Sequence, residues 1–202
     1  MGTYNERDRR QAAQAIDSIL NQTFRDFEFI ICDDGSDRAF YKWLYRYCKK
    51  DSRIMLLRNE KNMGLAAVLN KCLKYASGEY IARMDADDIS NTRRLEKQAA
   101  FLERHQEYAL VGCNAQLIEG KRVWGERRLE KMPRRESFLR TSPFIHPAVM
   151  IRREVLESIG GYCVSPKVMR AEDYELFMRL YAKGCRGYNL QETLFQYRED
   201  TK

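Results

Sequence analysis

Gly78-Glu79-Tyr80-Ile81-Ala82-Arg83-Met84-Asp85-Ala86-Asp87-Asp88 is the stretch from which the rest of the chain is read. Tyr80 to Met84 alternates as a short strand does, so the carboxylates fall where the strand ends and a loop begins. In an open α/β sheet, ligands bind in the crevice beyond the carboxyl ends of the strands. Side chains on an extended segment alternate with period two, so Asp85 and Asp87 point the same way. Like charges held this close are costly unless a cation offsets them. A hard divalent ion, magnesium or manganese, suits a few carboxylates whose remaining positions go to phosphate oxygens. The other reading of the same residues is a polar turn capping the next helix.

Upstream of this stretch, strand and helix alternate. The spacing predicts a helix over Arg9 to Gln22, with Ala12, Ala15, Ile16, Ile19 and Leu20 on one face. Phe27 to Cys32 reads as a buried strand ending in Asp33-Asp34-Gly35-Ser36, a second acidic strand end, followed by a glycine that permits a tight turn. Helices over Arg38 to Lys50 and Leu65 to Ala76 flank a strand at Ile54 to Leu57, and a further helix runs from Thr92 to His105. Three such alternations predict a parallel sheet covered by helices on both faces. Neither GxGxxG nor GxxxxGK[ST] occurs, so phosphate binding here rests on metal and carboxylates. Downstream the pattern is less regular. It reads as short strands at Leu110 to Asn114, Gln116 to Ile118, Val123-Trp124 and Ala148 to Ile151, a helix at Glu154 to Ile159, a strong helix at Glu172 to Lys183, and closing fragments at Leu190 and Leu194 to Tyr197.

Length and composition exclude several classes. At 202 residues, 44% hydrophobic and 32% charged, the chain suits one folded domain and not a disordered tail. No run approaches the roughly 18 apolar residues of a membrane span, and no signal peptide is evident, which predicts a cytoplasmic protein, free or peripheral at the inner face of the plasma membrane. The six cysteines are widely spaced without a CxxC pair, so neither a zinc site nor a disulfide framework is indicated. The net charge of +7 is concentrated: Lys121 to Arg140 holds eight Lys or Arg against three Glu. That excess is read as attraction to phosphates of a lipid carrier, an anionic membrane surface or a nucleic acid, or as a solvated basic loop.

Together the motifs resemble the family 2 glycosyltransferases. They are Thr3-Tyr4-Asn5, the helix end Ser18 to Thr23, FEFIICDDGS at 27–36, NMG at 62–64, GEYIARMDADD at 78–88, RRLEKQ at 93–98, FIHPAVMIRR at 144–153, GGY at 160–162 and AEDYELFMRL at 171–180. The likeness is greatest to bacterial enzymes that build capsular or other surface polysaccharides. It implies a GT-A type α/β fold: a mostly parallel, Rossmann-like nucleotide-binding sheet flanked by helices, with a smaller mixed acceptor-side portion. Residues 1–110 would form the nucleotide-sugar half and 111–202 the acceptor-binding half of one domain. The implied activity is inverting transfer of a sugar from a nucleoside diphosphate sugar, UDP-linked, to a carbohydrate or polyprenyl-linked acceptor, with Mn2+ or Mg2+ as cofactor.

Carried over by position, Thr3, Tyr4 and Glu6 match the loop that contacts the nucleotide. Asp34, with Asp33 beside it, matches the acidic group at the uracil and ribose, and Asn62 and Gly64 match the loop that closes over the donor. Asp85 and Asp87 match the DxD motif, with Asp87 as direct metal ligand and Asp85 nearer the donor's ribose or sugar. Glu172-Asp173 matches the "ED" pair, in which Asp173 would be the catalytic base; acids at a helix start are also simply good caps. His146 is read as a metal ligand, an acceptor-orienting residue or a structural hydrogen-bonding partner. Arg198 is read as closing on the diphosphate or as a surface residue.

The chain departs from the family at its start. The apolar strand that precedes the TYN loop is not in the sequence, which begins at Met1-Gly2, and its absence predicts unpaired backbone groups on the neighbouring strands. An alternative function is therefore a catalytically inactive nucleotide- or carbohydrate-binding protein of the same fold. A nucleic-acid binder is the weakest reading, since no recognition motif accompanies the basic segment.

Overall fold

The computed structural model describes residues 1–6 and 8–199. Their strands form two sheets. The first is parallel throughout, with β1 (Gly2–Thr3), β2 (Phe29–Asp33) and β3 (Ile54–Arg58) in that spatial order. The helices α1 (Arg9–Leu20), α2 (Arg38–Cys48) and α3 (Leu65–Tyr75) connect its strands and lead out of the sheet, as parallel strands require crossovers and not hairpins. Asp8 starts α1 by accepting from the Arg10 N–H, and Asp37 starts α2 by accepting from the Phe40 N–H; each supplies a partner that the first helical turn lacks. Ala12, Ala15, Ile16 and Ile19 of α1 and Phe40, Leu44 and Cys48 of α2 are buried at helical spacing, so each helix turns one stripe to the core. All five residues of β2 are buried, as befits a strand covered on both faces.

The second sheet is mixed. It contains β4 (Tyr80–Ala82), β5 (Ile89–Ser90), β6 (Leu110–Glu119), β7 (Arg122–Arg127), β8 (Met150–Arg152) and β9 (Gly187–Arg198), ordered β4-β8-β6-β9-β5 with β7 paired to β6. Only β6 and β9 run parallel; the other pairs are antiparallel. Helices α4 (Arg94–Arg104) and α6 (Glu172–Ala182) cover it. From α4, Leu95, Ala99 and Leu102 meet Val111 and Met150, while Leu176, Phe177 and Leu180 of α6 cluster with Leu110, Phe144 and Ile151. A short helix, α5 (Arg153–Ser158), follows β8, and single 3-10 turns lie at Arg135–Leu139, His146–Ala148 and Pro166–Val168.

Three expectations are corrected. The parallel sheet does not continue into the acidic stretch: β4 pairs antiparallel with β8, Ile81 opposite Ile151, and not with a strand of the first sheet. The mixed portion is the larger one, six strands against three, because β9 lies beside β6 along nearly its whole length. The fragments expected at 110–118 and 190–197 are therefore two long strands. The register slips at Asn114 because β9 carries the extra residues, Leu190, Thr193 and Phe195 lying opposite Cys113, Asn114 and Ala115, and the Asn114 side chain ties this irregularity by accepting from Leu129 N–H at 2.9 Å and donating to the Gln191 carbonyl at 3.0 Å. The two sheets part between β3 and β4, upstream of residue 110.

The expected loss of the first strand is also corrected in part. Gly2 and Thr3 pair with Cys32 and Asp33, the Met1 carbonyl accepts from Cys32 N–H and the Thr3 carbonyl from Asp34 N–H. Beyond Met1, a cavity of about 580 Å³ separates β2 from β4, lined by Phe29, Ile30, Leu69, Tyr80, Ala82 and Met84 among others. The Met1 amine is buried at its edge and donates to the Ile30 carbonyl at 2.8 Å. Among the described residues no helix is long and apolar enough to cross a membrane.

Candidate active site

Three loops meet at the carboxyl ends of β1, β2 and β3. The first is locked to the second: Asn5 N–H donates to Ser36 Oγ at 2.9 Å, and Asn5 Oδ1 accepts from Asp37 N–H at 2.9 Å. The second holds the third through buried Asp34, which accepts from Asn59 Nδ2 at 2.7 Å and from the N–H groups of Met63 and Gly64 at 2.9 Å each. Gly35 makes this approach possible. Its φ is +74° and an added Cβ would lie 2.5 Å from the Lys61 carbonyl carbon, a contact and a conformation that only glycine tolerates. Asp33 is fully buried, with Arg58 Nε 3.2 Å from its Oδ2; burial pushes its carboxyl up from the usual range. Thr3 is buried, Tyr4 is exposed, Asn62 is exposed, and Gly64 caps α3 with φ +86°. Of the donor-side residues, Asp34 thus acts here on the 59–64 loop itself.

The acidic stretch forms one cluster. A carboxylate oxygen from each of Asp85, Asp87 and Asp88 lies within 4.8 Å of the others. Burial pushes the Asp88 carboxyl up to about 8, with Asp85 and Asp87 adding to it. Asp87 is raised as well, by burial first and Asp85 next, and Glu6 is raised by burial and then by Asp87. Two cations answer these acids. Arg83, 5% exposed, points Nη1 at Asp85 Oδ1, 2.5 Å away. Arg198 gives its backbone N–H to Asp88 Oδ1 at 2.7 Å and its Nε to the Asp87 carbonyl at 2.8 Å. Asp88 Oδ2 is buried without a partner. Clustered hard oxygen donors with an unpaired buried oxygen fit a divalent cation such as Mn2+ or Mg2+, with Asp87 and Asp88 available to hold it and Asp85 already engaged by Arg83.

His146 and Tyr162 form a separate buried pair. His146 is buried, and its Nε2 lies 2.9 Å from Tyr162 Oη; burial, then Arg83, holds its pKa well below the usual value, so the ring is neutral. Burial pushes the Tyr162 phenol up to about 12, opposed by Arg83 and reinforced by Asp173 and Asp85. Glu172 and Asp173 open α6. His146 lies outside the carboxylate cluster and serves Tyr162 instead. Arg83 and Tyr162 were not among the residues singled out from the sequence. The signal for Arg83 was present, a lone charge inside the apolar run Ile81-Ala82-Arg83-Met84.

The pattern of the family described as Glycosyl transferase family 2 matches residues 1–160, which include both acidic strand ends. The chain belongs to glycosyltransferase family 2. Within this family it is 42% identical over 202 residues to EpsE of Bacillus subtilis, covering all of this chain and 72% of that protein. It is 30% identical over 191 residues to the UDP-Gal:alpha-D-GlcNAc-diphosphoundecaprenol beta-1,3-galactosyltransferase of Escherichia coli, covering 92% of this chain and 68% of that one. The fold is that of Staphylococcus aureus TarS, residues 1–349, in complex with UDP-GlcNAc, with a TM-score of 0.77, 23% identity, and coverage of all of this chain and 58% of that one. This family 2 chain thus spans less than two thirds of the solved structure it matches.

Proposed function

We propose that this chain transfers a sugar, with inversion, from a UDP-linked donor to a hydroxyl of a carbohydrate or lipid-linked acceptor in the synthesis of a surface polysaccharide. The observation that carries the reading is the cluster of Asp85, Asp87 and Asp88 at a strand's carboxyl end in a family 2 chain, with Asp88 Oδ2 buried and unpartnered. The UDP-GlcNAc bound by TarS and the UDP-Gal and diphosphoundecaprenol-linked substrates of the Escherichia coli relative support the donor and acceptor classes.

In this reading the loops after β1, β2 and β3 bind the nucleotide, with Thr3, Tyr4, Asp33 and the Asn62–Gly64 turn around it. Arg83 fixes Asp85 toward the donor sugar, leaving Asp87 and Asp88 for the ion. A divalent cation held there supplies positive charge for the leaving diphosphate, and Arg198, anchored on the same loop, adds a guanidinium. Asp173 takes the proton of the attacking hydroxyl, Glu172 lies beside it, and Tyr162, kept protonated by burial, pairs with His146 Nε2. Calorimetry with UDP, with and without Mn2+, tests donor binding, and slow hydrolysis of UDP-sugars tests the chemistry. Binding of UDP without any hydrolysis would instead support an inactive nucleotide-binding protein.

A further inference from the structure

The most exposed large apolar side chains among the described residues are Leu139 at 85%, Met169 at 67% and Val164 at 63%. Leu139 and Met169 come from two separate segments that both adjoin the start of α6, Met169 just ahead of it in the chain and Leu139 through the contact of Phe138 with Tyr174. The 135–139 turn packs along that helix: Arg135 Nη2 donates to the Tyr181 carbonyl, and the Phe138 ring stacks edge-on against Tyr174 while the Tyr174 hydroxyl donates to the Phe138 carbonyl. Leu139 and Arg140 are thereby held beside the helix start, which Met169 and Arg170 immediately precede. The neighbouring cations Arg140, Lys167 and Arg170 are exposed. Among the described residues none of them forms an ion pair, whereas Arg127, Arg128, Arg153 and Arg179 elsewhere each meet a glutamate. Of the three acids in the first turn of α6, Glu172, Asp173 and Glu175, Glu175 is bound to Arg179. Apolar tips among unpaired cations suit a bilayer interface, where the tips enter the acyl boundary and the cations meet lipid phosphates.

We propose that this lip, Leu139, Val164 and Met169 with Arg140, Lys167 and Arg170, rests on an anionic phospholipid bilayer and so presents Asp173 to acceptors at the membrane surface. The membrane contact stands on the lip alone; its purpose rests on the acceptor-side role given to Asp173 above.

The test is co-sedimentation of the full chain with phosphatidylcholine vesicles containing phosphatidylglycerol, compared with phosphatidylcholine alone, and calorimetry with UDP and Mn2+ on the same samples. The chain is expected to bind the anionic vesicles only, and less at high salt. Arg140→Gln with Arg170→Asn, the latter tolerating the positive φ of 67° at that position, should weaken binding roughly 20-fold or more at about 1 kcal/mol per cation. Leu139→Ser with Met169→Ser should also release the protein, with UDP affinity unchanged in both variants. A wild-type chain that stays in the supernatant, or variants that bind as well as wild type, would overturn the proposal. So would heparin stripping the wild type while the serine variant binds vesicles normally, since that describes a polyanion site. Vesicle binding without UDP binding would leave the lip standing and remove the transferase reading; UDP binding without vesicle binding would do the reverse.

Discussion

Arg83 and Asp85 form an ion pair that straddles the protein boundary: Nη1 and Oδ1 are 2.5 Å apart, yet the Arg83 side chain is 4% exposed and that of Asp85 32%. The two ends are therefore unequal. Asp85→Asn leaves a guanidinium buried without its counter-charge and should cost about 3 kcal/mol, whereas Arg83→Met removes the buried charge and leaves a carboxylate that water reaches, at about 1 kcal/mol. Urea denaturation of both variants checks the order, and equal losses would show the pair to be energetically symmetric.

Asp87→Asn should abolish the Mn2+-dependent part of UDP binding, a loss of tenfold or more, equivalent to at least about 1.4 kcal/mol. The metal-independent part, held by the loops after β1 to β3, should survive. Calorimetry in Mn2+ and in chelator separates the two, and an unchanged response to Mn2+ would take Asp87 out of the metal site.

Asp173→Asn should lower turnover by about 10²- to 10⁴-fold, the usual contribution of a positioned base, while leaving UDP affinity intact. Near-normal turnover would remove Asp173 from the mechanism and leave it a helix-capping acid.

Gly35→Ala forces a methyl group against the Lys61 backbone at a φ of +74°. We expect at least about 1 to 3 kcal/mol of lost stability together with weaker UDP binding, because the 59–64 loop is the part displaced. Thermal melts and UDP titration of the same variant are the measurement; a normal melt would mean that the loop gives way freely.

Four to six apolar β-forming residues placed before Met1 should enter the cavity between β2 and β4 and raise the melting temperature. Each buried Val or Ile contributes about 1.5 to 3 kcal/mol against about 1 to 2 kcal/mol of backbone ordering. Equal melting temperatures with and without the extension would show that the cavity does not accept a strand.

Most helices were legible because amphipathic spacing is local. Ala12, Ala15, Ile16 and Ile19 occupy one face at any distance from the rest of the fold, and Asp8 and Asp37 cap their helices within a few residues. The acidic strand ends were legible for the same reason. Two-residue β5 was missed, having too few residues for a period, and β6 was split in two because polar Asn114 interrupts its apolar run.

By itself the sequence determined the alternation of strands and helices in the first half, the two acidic strand ends and the family those motifs carry, since each is written in neighbouring residues. Only the tertiary structure decided that β4 joins β8, that Asp34 holds the 59–64 loop, that His146 serves Tyr162, and that Leu139 and Met169 share one lip. These depend on pairs far apart in the chain, and no local period records which distant surface a side chain meets.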